Sequence, residues 1–187
     1  KNGVDSVPSN LITINSGTTA CALYYSVNQG PIAIPELRAM SASFAVVPHG
    51  TIRDVNLRNL NIEHPFDMDL AAFLSSPAGT RVELFTGVGG AGTNFSGTTF
   101  DDAAPAAIAN GRAPFSGSYR PSRPLSAFNG QATAGTWTLS LSDNIVSYEG
   151  WFYDVALELC TSGNGGGGGN NGAIFADDFE TGGFGQW

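Results

Sequence analysis

GTWTLSLSDNIVSYEGWFYDVALELC, Gly135–Cys160, reads as two β-strands joined by a polar loop. In the first strand Trp137, Leu139 and Leu141 alternate with Thr136, Thr138, Ser140 and Ser142. In the second, Trp151, Tyr153, Val155, Leu157 and Leu159 alternate with Phe152, Asp154, Ala156, Glu158 and Cys160. Side chains two apart share a sheet face, so each strand offers one continuous apolar row to a core. Asp143, Asn144 and Gly150 punctuate the connection. The expectation is a β-hairpin.

The same periodicity extends upstream. Ala42–Val47 alternates, and so does Ile52–Ile62, with a phase break. Val55 and Leu57 share one face, whereas Leu60 and Ile62 are one residue out of step. One extra residue near Arg58-Asn59 restores a common face, which predicts a β-bulge there. Asp69–Leu74 is apolar on both faces, the pattern of a central strand. A turn cluster at 75–80 leads into Val82 and Leu84 in alternation. Gly87–Gly97 is a glycine-rich loop, and Phe100–Tyr119 reads as irregular. Short strands at near-regular spacing without an amphipathic helix predict an all-β sandwich.

Composition agrees with this reading. The chain has 187 residues, 25 of them glycine, and only 13% are charged. Ser, Thr and Asn must therefore supply much of the polar surface, which suits a secreted β protein rich in turns. A net charge of −8 argues against nucleic acid and anionic lipid as partners, since phosphate binding draws on clustered Lys and Arg. No apolar run approaches the roughly 20 residues of a membrane span. Lys1 begins no signal-peptide pattern, so the chain reads as a mature or excised segment.

Four parts follow from composition: a lead-in over 1–19, the sandwich over 20–160, a Gly/Asn-rich linker over 161–172 and an acidic-aromatic tail over 173–187. The glycine-dense stretch after Cys160 reads as flexible. Cys21 and Cys160 stand at the two ends of the sandwich. In an exported chain they pair; two free thiols, or a metal pair lacking its other ligands, are the alternatives.

An ordered set of motifs over about residues 20–160 resembles the P-domain, or P/Homo B domain, that follows the catalytic domain of kexin- and furin-like subtilisin proteases. Ala33-Ile34-Pro35, Gly50–Val55, His64 with Asp69-Leu70, and Ser76-Pro77-Ala78-Gly79-Thr80 match its pieces in order. Thr98–Asp102, Pro114–Pro121 and Leu125–Gly130 follow. Gly135–Leu139 with Trp137, then Asp143 and Gly150, close the set. The cysteines resemble those of bacterial members. Pro65 stands where the family has Thr, and Asn144–Glu149 with Ile145-Val146 replaces a small or Asp-rich turn. The resemblance implies a jelly-roll-like β-sandwich (galactose-binding-domain-like). It also implies a non-catalytic accessory role toward a subtilisin-like catalytic domain of the same polypeptide, a secreted serine endopeptidase. His64, Trp137 and Asp143 are its structural motif residues.

The residues themselves offer little catalytic chemistry. The only histidines are His49 and His64. There is no Gly-x-Ser-x-Gly elbow, no His-Glu-x-x-His and no Walker loop. His64 reads as a structural residue bonded near Asp67 or Asp69. Calcium is the stronger chemical expectation. Asp67 and Asp69 form one loop pair and Asp101-Asp102 a second. A hard cation takes about six to eight oxygens, and two acidic loops can supply several. The competing reading is that Asp69 caps backbone amides and the others face solvent. Arg112, Arg120 and Arg123 share one loop, either as a basic patch for an acidic partner or as solvated residues. Asn94-Phe95-Ser96 fits the glycosylation pattern.

Two functions compete. An accessory domain would dock through an apolar patch with aromatic anchors. A module binding an extracellular polymer, protein fibre or polysaccharide, would present Trp151, Phe152 and Tyr153. Alternation puts Phe152 on the opposite face from the other two, which weakens a three-ring platform.

Overall fold

The computed structural model describes residues 19–27, 30–146 and 148–162. Among the described residues eleven strands run in order: β1 (Thr19–Tyr25), β2 (Ile32–Ile34), β3 (Ala39–Val46), β4 (Ile52–Glu63), β5 (Leu70–Ser75), β6 (Arg81–Thr86), β7 (Phe95–Phe100), β8 (Ala106–Ala107), β9 (Phe115–Arg120), β10 (Gly135–Asp143) and β11 (Gly150–Ser162). The helical segments among the described residues are 3₁₀ turns at Asp67–Asp69, Ile108–Asn110 and Leu125–Phe128. None is long and apolar enough to cross a membrane. Of the expected parts outside the sandwich, the tail and nearly all of the lead-in and linker lie outside the described residues. Thr161 and Ser162 complete β11.

The strands form two sheets. One is seven-stranded, in the order β1-β11-β4-β7-β9-β8 with β2 also on β11; the other is four-stranded, β3-β10-β5-β6. The expected β-sandwich is therefore present, but the expected hairpin is not. β10 pairs with β3 and β5, whereas β11 pairs with β1, β2 and β4. The 144–149 loop thus crosses from one sheet to the other. Phe100–Tyr119, expected to be irregular, contributes β8 and most of β9; β9 pairs in parallel with β7 on one side and with β8 on the other.

Register breaks settle which side chains face inward. Against β4, β11 advances two residues from Phe152 to Asp154 while its partner moves by one, so Tyr153 is the extra residue of a bulge. Phe152 and Val155 then both face the core at 0% and 2% exposure, while Trp151 is exposed. This corrects the single row from Trp151 to Leu159 expected from alternation. The bulge predicted in β4 is present. Asn59 adopts a left-handed φ of 56°, and Val55, Leu57, Leu60 and Ile62 are all buried.

Aromatic rings join the two layers. Phe85 of β6 stacks on Phe95 of β7 at 4.5 Å between centroids, and Phe95 stacks on Phe115 of β9 at 4.7 Å. Trp137 is fully buried, meets Phe128 edge-on at 5.0 Å and donates its indole N–H to the Thr133 carbonyl at 3.0 Å. Cys21 lies opposite Cys160 in the β1–β11 register, and the two are disulfide-bonded.

Candidate functional site

The most chemically loaded part of the molecule is the end of the sandwich where β4 and β10 stop. Trp137, Leu139, Leu141 and Asp143 form the inward row of β10, each at most 1% exposed. A carboxylate finishing an apolar row needs a partner, because an unpaired buried charge is costly. It finds His64, the residue after β4. His64 Nε2 lies 3.2 Å from Asp143 Oδ2, and Asp143 Oδ1 accepts the Ile145 backbone N–H at 3.0 Å. The other ring nitrogen, Nδ1, lies 2.8 Å from the Phe66 carbonyl. The pair is closed from water, with side chains 0% and 1% exposed. It ties the seven-stranded sheet to the four-stranded one. Gly150 is required beside it: a Cβ there would stand 2.3 Å from His64 Cδ2.

A second arm leads from the same histidine. His64 N–H donates to Asn94 Oδ1 at 2.9 Å, and Asn94 N–H donates to Asp67 Oδ1 at 2.8 Å. Asn94 holds a left-handed φ of 77°, a conformation asparagine tolerates better than most residues. Asp67 is fully buried, and its Oδ2 has no hydrogen-bond partner. Burial pushes its carboxyl up to about 6, against the opposing effects of the Asn94 N–H and the nearby His64. The glycine loop folds over it, with Asp67 N–H bonded to the Gly92 carbonyl and Met68 N–H to that of Gly90.

This geometry positions structure rather than catalysis. Both nitrogens of His64 are engaged by Asp143 and Phe66, and its side chain is 0% exposed. The expected partner near Asp67 or Asp69 is corrected to Asp143. His49 Nδ1 meets the Tyr24 hydroxyl at 2.9 Å instead of a nucleophile–base pair. The expected calcium ligands are not brought together. Asp101 accepts the Ala103 N–H, and both oxygens of Asp102 accept N–H groups of Leu125 and Ser126 at the last 3₁₀ turn. Among the described residues no three or more His, Cys, Asp or Glu side chains are grouped to hold a metal ion. The four aspartates therefore do not fit a calcium cage. Of the arginine cluster, Arg120 is committed to the Ala104 and Pro105 carbonyls.

A family-model scan matches residues 52–159 to the Proprotein convertase P-domain. The chain belongs to that family. The match takes in the His64–Asp143 pair and most of both sheets, and it identifies the sandwich as a non-catalytic accessory domain. Two solved structures share the fold. The serine protease of Aeromonas sobria superposes with a TM-score of 0.51 at 18% identity, over 77% of this chain and 27% of that one. The same protease in complex with its chaperone ORF2 gives a TM-score of 0.50 at 16% identity, over 78% and 27%. The chain thus spans about a quarter of those chains. No curated protein matches.

Sequence reasoning missed Asn94 and the crossing of β10 to the other sheet. Asn94 was read only as a glycosylation pattern; its place at the end of the glycine loop, directly before an inward Phe95, was the available signal. Asp143 carried a plainer one, because it continues the 137, 139, 141 row onto the core face.

Proposed function

We propose that this P-domain is the accessory domain of a secreted subtilisin-like serine protease and stabilises the catalytic domain by docking on it. One observation carries the reading. The loops held by the His64–Asp143 pair present exposed apolar side chains: Met68 at 52%, Ile145 at 51%, Val146 at 53% and Tyr148 at 47%. The two loops adjoin. Asn144 donates both its backbone N–H and its side-chain amide to the Asp69 carbonyl, and Phe66 packs on Tyr148 at 4.7 Å. An apolar patch rimmed by polar groups is the usual anatomy of a docking surface. The family match and the likeness to a serine protease support the partner's identity. A family of domains attached to exported proteases, and the disulfide, support the extracellular setting.

The test uses the full-length polypeptide that contains this chain. Deleting 19–162 should shorten the half-life of its proteolytic activity on heating. Met68→Glu with Val146→Glu should shorten it as well, while leaving the melting temperature of the isolated chain unchanged, because both sites are exposed. Equal half-lives for intact and deleted forms would overturn the role. Equal half-lives for intact and patch-substituted forms would overturn the patch.

A further inference from the structure

A second surface begins beside that patch, at Pro65 and Glu149, and runs along the outer face of the seven-stranded sheet. There β4, β11 and the start of β7 enclose two open cavities of about 310 and 370 Å³. Glu63 and Asn94 line both, so the two cavities adjoin and form the two parts of one groove-like surface. Trp151, 39% exposed, flanks one part, and Tyr153 and Asp154 flank the other. The bulge at Tyr153 makes this possible: it sends Phe152 to the core while Trp151 and Tyr153 stay outside.

We propose that this groove binds a neutral polysaccharide. Sugar hydroxyls both donate and accept, so a sugar site needs both kinds of polar group beside an aromatic surface for the ring's C–H face. The groove supplies amides from Asn61 and Asn94, hydroxyls from Ser96 and Tyr153, and carboxylates from Glu63 and Asp154. Several of these are already fixed in place. Asp154 accepts from the side chains of Asn59 and Asn61, and Glu63 accepts the Tyr153 hydroxyl. Such pre-orientation lowers the ordering cost of binding. A lysine or arginine side chain is the competing guest, since Glu63, Glu149 and Asp154 line the groove, and an oligolysine peptide tests it. No Lys or Arg lines either cavity, and the carboxylates repel anions, so sulfated or uronic polymers are excluded.

The test is native electrophoresis of the chain through gels cast with soluble glycans. Xylan, galactomannan, xyloglucan and mixed-linkage glucan are the neutral probes; alginate and polygalacturonate are the anionic ones. At least one neutral glycan should retard the chain and the anionic ones should not. Trp151→Ala should weaken that retardation about tenfold or more. Ser96→Arg, at an exposed position facing the groove, should block it by filling the cavity. If Trp151→Ala lowers the melting temperature, Ser96→Arg carries the result alone. No retardation by any neutral glycan, or retardation that Ser96→Arg leaves intact, overturns the proposal. So does titration in which an oligolysine peptide binds the groove and no neutral glycan does.

Discussion

His64–Asp143 and Arg58–Glu158 both join a basic side chain to an acid across strands, but in opposite surroundings. The first pair is 0% and 1% exposed, whereas Arg58 is 41% exposed and Glu158 14%. The first connects two sheets; the second lies on the outer face of one sheet, between β4 and β11. Partial burial alone would raise the Glu158 carboxyl, but bonds from Arg58 and Asn56 and the Arg58 charge hold it below its usual value. The buried acid has no water to fall back on. The lesson is that the closed pair has only its partner to satisfy it, while the open pair shares its charge with solvent.

The largest effect should come from breaking the closed pair. Asp143→Ala strands His64 and the Ile145 N–H in a dry core, and should cost about 3–5 kcal/mol in urea unfolding followed by fluorescence of buried Trp137. A loss below about 1 kcal/mol would erase the distinction between the two pairs. Next comes the disulfide at the opposite end. Replacing Cys21 and Cys160 with Ser should cost about 2–4 kcal/mol, because the bond closes a separation of 139 residues. The intact chain should gain two hydrogens in mass on reduction.

Asp67 gives a pH signature to the closed end. Its carboxyl is raised from 3.8 to about 6, so the folded state holds the proton more tightly than the unfolded one. Its contribution is fully present below about 3.8 and is lost as pH rises through about 6. The loss amounts to at most about 3 kcal/mol. Asp67→Asn should flatten that part of the stability–pH profile; an unchanged slope would assign it to other groups. The smallest effect belongs to the open face. Glu158→Gln should cost no more than about 1 kcal/mol and should shrink further in high salt. Because the four aspartates form no cage, melting should be the same in millimolar calcium and in chelator.

Much of the sandwich was legible in the sequence because alternation is a local property. The rows of β10 and the bulge at Asn59 follow from counting residues along one strand. The pairing of β10 and β11 did not, because sequence adjacency favours a hairpin and nothing local marks the 144–149 loop as a crossing between sheets. The phase of β11 was lost for a related reason: Tyr153 is an extra residue only relative to β4. At the closed end, the identity of His64 was legible but its partner was not, since Asp143 lies 79 residues away. The bonding of the expected calcium ligands was not legible either, because Asp102 accepts the backbone N–H groups of Leu125 and Ser126, 23 and 24 residues further along the chain.

A double-mutant cycle on His64→Ala and Asp143→Ala, read by equilibrium unfolding, tests the division between closed end and open face most directly. The account predicts that each single change costs nearly as much as both together, with a coupling of about 2 kcal/mol or more. The same cycle on Arg58 and Glu158 should give well under about 1 kcal/mol. Additive losses at His64 and Asp143, or a coupling no larger than that of the exposed pair, would contradict it.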